Sequence, residues 1–176
     1  MTLATSIRNL ARSVASLAAA LALTLAGPAA ALEPAEGEVL LSVTGAITET
    51  NADGAAEFDL AMLEALDTVV IETSTIWTDG IQTFEGVELS DLLAALGAEG
   101  SVLRAVALND YAVDIPASDA VEGGPLVAFR RNGAPMSLRE KGPLWIVYPF
   151  DSSPEFQTEQ IYSRSIWQLD RIEVQR

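Results

Sequence analysis

The sequence predicts an α+β domain rich in strand, and three features carry that prediction. Many short runs are alternating or β-branched, as strands are, and turn pairs such as Asp79-Gly80 and Asn132-Gly133 separate them. Only two short stretches have the leucine spacing of a helix. Many short strands with two short helices make a mixed domain in which strand is the larger share.

The first 31 residues have the layout of a secretory signal. Arg8 and Arg12 supply a positive start, an apolar run follows, and Ala29 and Ala31 fit a small-residue cleavage site. A membrane anchor is the alternative, but the apolar run is shorter than the roughly 20 residues that a span requires. We therefore expect cleavage near Ala31, a periplasmic product that is not embedded in the membrane, an acidic linker over 32–38 and one domain over 39–176.

The first half of this domain begins with a strand predicted over Val39–Thr44. Asp59 is placed to cap a short helix whose leucines recur every three residues as far as Leu66. The strongest strand prediction covers Thr68–Trp77, a β-branched run whose odd-numbered residues share one face. Glu72 occupies an even position and is expected to face water.

The second half continues with a helix that Ser90 is expected to cap and Gly97 to end. Asn132-Gly133 is typical of a tight hairpin turn. The remaining strands are predicted over Val102–Leu108, Tyr111–Ile115, Pro125–Arg130, Met136–Leu138, Leu144–Tyr148 and, as one strand or a strand pair, Ser165–Val174.

The charge of the domain excludes some classes of partner. Without the first 31 residues the chain carries 8 basic and 25 acidic side chains, a net charge of −17. Nucleic acid and anionic membrane both require a basic surface, so neither is expected as a partner. Residues 32–129 hold 1 basic and 19 acidic side chains, whereas residues 130–176 hold 7 basic and 6 acidic ones. An anionic or electron-rich ligand would therefore find its donors in the C-terminal third.

The chain contains no cysteine and no histidine. A disulfide, a thiolate nucleophile, a zinc site built on these residues and an imidazole base are therefore all excluded. A Ser-His-Asp triad is excluded for the same reason.

Five blocks between Thr68 and Val174 carry a family resemblance. They are Phe84–Leu93 (FEGVELSDLL), Asn109–Pro116 (NDYAVDIP), Leu126–Met136 (LVAFRRNGAPM), Gly142–Leu144 (GPL) and Trp167–Val174 (WQLDRIEV). In this order they resemble segments of the molybdopterin-binding domain of the sulfite oxidase family. The resemblance implies that family's strand-rich fold and a pterin-binding pocket.

The departures from the family pattern are as informative as the matches. The family's catalytic members bind molybdenum through a cysteine thiolate, which this chain lacks and which a hydroxyl cannot replace as an equivalent ligand. The histidine and arginine of the family's phosphate-binding block fall at Lys141 and Trp145, and a later lysine falls at Ile166. The N-terminal segment also lacks the twin arginine of carriers exported already folded. These departures favour a free pterin over the molybdenum cofactor.

The candidate ligand-binding residues follow from what a pterin requires. Its flat, electron-poor ring needs an aromatic side chain for stacking and polar groups at its edge. Trp77 is the candidate for stacking and Asp79 for the amine edge, with Thr78 beside them, because the matching region of the family faces the cofactor. The alternative is that Trp77 is a core residue and that Asp79 merely begins a turn.

Further candidates lie in the C-terminal third. Arg164 is the preferred cation because its planar guanidinium fits carbonyl or phosphate oxygens. Tyr162 and Ser165 flank it, where the family's cofactor contacts cluster. Lys141 and Trp145 lie near the former phosphate pocket, although Trp145 is expected chiefly to pack in the core. Asn109 and Tyr111 are interpreted first as hairpin residues.

Three functions remain open from sequence. The chain is similar to short, cysteine-less relatives that look like pterin receptors acting on membrane-bound signalling enzymes, such as those that make or degrade cyclic-di-GMP. Under this hypothesis the protein is not an enzyme, and its acidic N-terminal part is free to contact the sensor domain of a partner. The alternatives are a molybdopterin-dependent oxidoreductase and an interaction domain whose pocket has closed.

Overall fold

The computed structural model describes residues 32–176, and the predicted signal segment lies outside this part of the chain. The domain is strand-rich, with 38% strand and 19% helix, and belongs to the α+β class as predicted. Its strands are β1 (Leu41–Gly45), β2 (Ala55–Phe58), β3 (Thr68–Ser74), β4 (Ile81–Glu88), β5 (Val102–Ala107), β6 (Ala112–Pro116), β7 (Leu126–Arg131), β8 (Ala134–Pro135), β9 (Trp145–Val147) and β10 (Leu169–Gln175); its α-helices are α1 (Leu60–Ala65), α2 (Leu89–Ala95) and α3 (Glu159–Arg164).

The strands form two sheets. The first has the order β2-β1-β10-β5-β6, and within it only β1 and β10 pair in parallel. The second has the order β3-β4-β7-β8, with β9 also paired to β7. Along β1 and β10 buried residues alternate with half-buried or exposed ones, so one face of the first sheet is covered and the other is more open. In contrast, all of β9 is buried.

One hydrophobic core connects the two sheets. Leu41, Val43 and Ile172 of the first sheet belong to the same buried cluster as Phe84 and Ile146 of the second. Residues 32–176 contain no helix that is long and apolar enough to cross a bilayer.

Several predictions of local structure are confirmed. Asp59 caps α1, where its Oδ1 accepts a hydrogen bond of 2.9 Å from the Met62 amide. Gly97 ends α2 with a positive φ of 55°. The odd-numbered residues of β3 face inward, and Glu72 is exposed. Asn132 and Gly133 both have positive φ and form the turn between β7 and β8.

The start of α2 differs from the prediction. The helix begins at Leu89, so Ser90 lies in its first turn and is not the cap. The Ser90 hydroxyl donates to the Glu88 carboxylate at 3.3 Å, and the same carboxylate accepts from the Gly123 amide at 3.1 Å. The N-cap residue is instead Glu88, whose backbone is not yet helical (φ −59°, ψ 137°) and whose side chain makes no capping hydrogen bond.

The strongest strand is shorter than predicted. β3 ends at Ser74, because Asp151 accepts hydrogen bonds from the Ser74 amide at 2.5 Å and the Ser74 hydroxyl at 2.7 Å. Trp77 therefore lies in the turn between β3 and β4. Asp151 lies 77 positions from Ser74 in the chain, so the residues around Ser74 do not indicate that the strand ends there.

The C-terminal part also differs. A third helix, α3, was not predicted; the Thr158 hydroxyl caps it by accepting from the Ile161 amide at 3.3 Å. The final strand begins at Leu169, because Gln168 has a φ of 53° that a strand does not tolerate. Met136–Leu138 does not form the return strand of the hairpin, since β8 ends at Pro135 and a capping box between Ser137 and Glu140 turns the chain into a 3-10 helix.

Candidate functional site

Four aromatic rings gather around Trp77. Its ring centroid lies 5.5 Å from that of Trp167, 5.8 Å from Trp145, 6.0 Å from Tyr162 and 6.3 Å from Phe150, with the rings edge to face in each pair. Such edge-to-face contacts are favourable beyond the burial of apolar area. The cluster thus joins the turn after β3 to β9, to α3 and to the segment before β10.

Short hydrogen bonds hold Trp77 in its turn. The Thr75 hydroxyl accepts from the Trp77 amide at 3.1 Å, and it lies 2.8 Å from the hydroxyl of Thr78. Thr75 is itself buried, so the hydroxyl that accepts from the Trp77 amide is held in the interior of the domain. Thr75 and Thr78 therefore fix the backbone of the turn that carries the Trp77 ring.

A partly open cavity of about 450 Å³ lies beside this cluster. Four of the residues that line it are aromatic and four carry neutral polar groups. They are Trp77, Tyr111, Tyr162 and Trp167, together with Asn109, Ser163, Ser165 and Gln168; Ala107 and Ile166 complete the wall. The volume falls in the range of about 300–1,000 Å³ typical of small-molecule sites. None of these lining residues carries a charge.

The candidate residues predicted from sequence fall into two groups. Trp77, Tyr162 and Ser165 line the cavity together. Trp145 is fully buried behind it, where its Nε1 donates to the Ser165 carbonyl at 3.3 Å, as expected of a packing residue. The Ser165 hydroxyl donates to the Ile146 carbonyl at 2.5 Å, so this side chain is already engaged.

Thr78 and Asp79 do not line the cavity. The Thr78 hydroxyl is paired with that of Thr75, and Asp79 is exposed in the turn, where its carbonyl accepts from the Gln82 amide group at 2.8 Å. The turn that follows Trp77 carries Asp79 out toward solvent, which agrees with the alternative interpretation of Asp79 as a turn residue.

Arg164, the preferred cation, is engaged elsewhere. Its Nη1 donates to Asp119 Oδ2 at 2.8 Å, and the hydroxyl of buried Tyr148 donates to the same oxygen at 2.8 Å. The pKa of Tyr148 is raised, first by burial and then by its hydrogen bond to Asp119. Arg164 is not among the lining residues, and its ion pair with Asp119 joins α3 to the 3-10 helix at 117–119.

Lys141 contacts Trp167, one of the residues that line the cavity. Its Nζ lies 4.0 Å from the centroid of the Trp167 ring, within the range of a cation–π interaction. Burial lowers the pKa of Lys141, and the nearby positive charge of Arg131 lowers it further. Lys141 therefore supports the ring of Trp167 without itself lining the cavity.

Sequence reasoning gave too little weight to two lining residues, Asn109 and Tyr111. They lie in the turn between β5 and β6, and Tyr111 is 57% exposed at the edge of the cavity. Their hairpin role is real, since Asn109 Oδ1 accepts from the Tyr111 amide at 3.2 Å. The available signal in the sequence was an aromatic residue directly after the turn residues Asn109 and Asp110.

The residues at this site do not fit a molybdenum ion. The chain has no cysteine to supply the thiolate ligand. Among residues 32–176 no cluster of three or more carboxylates is arranged to hold a metal. The cavity offers aromatic rings, hydroxyls and amides, which suit an uncharged planar organic ligand.

A second groove of about 410 Å³ crosses the open face of the first sheet. Its two arginines are both ion-paired, Arg104 with Asp114 at 3.1 Å and Arg171 with Asp110 and Asp170 at 2.5 Å each. These pairs neutralise both arginines, so neither is free to bind an anionic ligand, and the aromatic cavity is the stronger candidate site. In comparisons with known proteins, no protein-family model and no curated protein matches the chain.

Proposed function

We propose that this domain is a non-catalytic receptor for a small pterin, which it reports to a membrane-bound signalling partner. The observation that supports the proposal is the aromatic cavity, whose lining combines four aromatic rings with neutral hydrogen-bonding groups. A pterin matches that combination, because it is flat enough to lie against aromatic rings and carries donors and acceptors around its edge.

The neutral lining also favours one kind of pterin. A phosphate or other anionic group taken out of water is most strongly stabilised by a cation, and the lining residues include neither lysine nor arginine. The ligand is therefore a pterin without a phosphate in the cavity itself. The molybdopterin-dependent alternative is disfavoured by the same feature and by the missing cysteine.

The closed-pocket alternative predicts that Trp77 is packed on all sides. Trp77 instead retains partial exposure and forms one wall of the cavity. A ligand that stacks beside it would quench its fluorescence.

The proposal is tested by titrating residues 32–176 with biopterin and tetrahydrobiopterin, followed by calorimetry and by tryptophan fluorescence corrected for pterin absorption. We expect saturable binding of one molecule. The variant Tyr111→Ala should weaken it about tenfold, the order expected for loss of one stacking ring. Trp77→Phe should weaken binding while retaining most of the aromatic packing.

Leu108→Ala is the matched control, because Leu108 is exposed next to Asn109 but does not line the cavity. Its affinity should equal that of the unmodified protein. Absence of saturable binding up to millimolar pterin, or equal losses in the Tyr111 and Leu108 variants, would contradict the receptor proposal.

A further inference from the structure

The outer edge of β3 has backbone groups that are free to pair. β3 is the terminal strand of its sheet and pairs only with β4. The Ser74 amide points away from β4, since it donates to Asp151. Alternation along a strand therefore directs the amides and carbonyls of Thr68, Val70 and Glu72 away from β4 as well. In the described part of the chain, no hydrogen bond outside the strand ladder uses the amides of Val70 or Glu72.

The side chains at this edge are also exposed. Val70 is 61% exposed on β3, and Ile81, opposite Ser74 on β4, is 70% exposed. Ile76, in the turn between these strands, is exposed as well. An extended edge with exposed β-branched side chains is a template for another strand unless charge or a covering element prevents it.

The charges around the edge select the kind of strand that can pair. Glu72 is exposed on β3, and Glu64 and Glu85 lie on the neighbouring α1 and β4. Both of these share a single cation, Arg130, so the surface keeps an excess of negative charge. A second copy of the domain would bring a further net charge of −17 to this edge, which opposes self-pairing.

We propose that the edge of β3 is the docking surface for an extended lysine- or arginine-rich segment of the partner, which adds to the second sheet as a strand. Its backbone pairs with Val70 and Glu72, and a basic side chain lies against Glu72. This inference rests on the proposed receptor function, for which it names the partner-binding surface. The edge lies close in the chain to the ligand site, because Trp77 follows the last residue of β3 by three positions.

The test uses ligand-free protein, residues 32–176, and the peptide acetyl-Lys-Val-Lys-Val-Lys-Val-Lys-amide as probe. Binding is measured by calorimetry, and residue-specific amide exchange by NMR. We expect the amides of Val70 and Glu72 to exchange rapidly in the free protein and to become protected by the peptide. The amides of Val69 and Ile71 already face β4 and should change little.

Two controls separate strand addition from attraction between opposite charges. The same peptide with every backbone amide N-methylated keeps its charge but cannot pair as a strand, so it should not bind. Glu72→Lys should weaken the unmethylated peptide about tenfold, because it replaces an attraction by a repulsion. Glu173→Lys makes the same charge change on the interior strand β10, where Glu173 is exposed, and should have little effect.

Equal binding of the methylated peptide, equal effects of the two lysine variants, or no binding at millimolar peptide would each overturn the proposal. Dimers of the unmodified protein that Glu72→Lys alters would overturn it in favour of a second copy as the occupant. Because no pterin is present, failure here leaves the pterin titration unaffected, and failure of that titration leaves this result standing.

Discussion

Removal of the Asp119 carboxylate should be one of the most damaging single changes to this domain. The carboxylate accepts from the buried Tyr148 hydroxyl and from Arg164, each at 2.8 Å. The side chains of Asp119 and Arg164 are only 16% and 13% exposed. Asp119→Ala thus leaves a largely buried guanidinium and a buried phenol without their shared acceptor.

The expected loss of stability follows from these two orphaned groups. Breaking a buried ion pair by removing one partner costs about 3–5 kcal/mol, and the residual exposure of this pair favours the lower end. An unsatisfied phenol adds about 1 kcal/mol or more. Together they amount to about 4 kcal/mol, a large fraction of the 5–15 kcal/mol that typically stabilises a domain. Tyr148→Phe removes only the hydrogen bond and should cost about 1 kcal/mol.

Equilibrium unfolding in urea at neutral pH measures both variants. Asp114→Ala is the matched control, because it removes a carboxylate from an exposed pair with Arg104 and should cost less than about 1 kcal/mol. The double variant Asp119→Ala/Tyr148→Phe should lose less than the sum of its single changes, since the two groups share one interaction. A loss below about 1 kcal/mol for Asp119→Ala, or one equal to that of Asp114→Ala, would refute this account.

Two further predictions concern acid stability and close packing. The pKa of Asp59 lies below its ordinary value of 3.8, mainly because its carboxylate accepts from the amides of Met62 and Gly37. The stabilisation from Asp59 is therefore full above that ordinary value and is lost as the pH falls through the lower folded-state pKa. In urea unfolding, Asp59→Ala should be less stable than the unmodified protein at pH 7, and this difference should shrink as the pH falls below 3.8. A difference unchanged by pH would contradict this prediction. Gly86→Ala should cost on the order of 2–3 kcal/mol in the same assay, because the new Cβ would lie 2.3 Å from the Val127 carbonyl oxygen. Gly54→Ala is the control and should cost about 1 kcal/mol, because its Cβ would meet open space and only its positive φ of 70° causes strain. Equal losses of stability in the two variants would contradict the prediction for Gly86.

The features that the sequence predicted correctly are local ones. The capping of α1 by Asp59, the Asn132-Gly133 turn and the inward face of β3 depend on a few neighbouring residues, and each is confirmed. The helix α3 was missed because it has six residues and buries none of them fully, so no apolar periodicity marks it.

The features that could not be predicted depend on contacts between distant residues. Ser74 ends β3 because Asp151 takes its amide, and Arg164 turns from the cavity toward Asp119, 45 residues away. The aromatic cavity was anticipated in part, since Trp77 and Tyr162 were among the candidates. Tyr111 joins them only because the β5–β6 turn folds against the segment before β10.

The parallel pairing of β1 with β10 has a consequence for how this chain acquires its fold. The central strand of the first sheet, Leu169–Gln175, lies between β1 and β5 although it follows all of the sheet's other strands in the chain. Contacts between residues so far apart in the chain slow folding, since a long loop must close before they stabilise anything. In a nascent or truncated chain that ends before Leu169, β1 and β5 each have one unpaired edge, and such edges favour aggregation. A substitution that weakens β10 therefore acts on the centre of the first sheet and frees the edges of both β1 and β5.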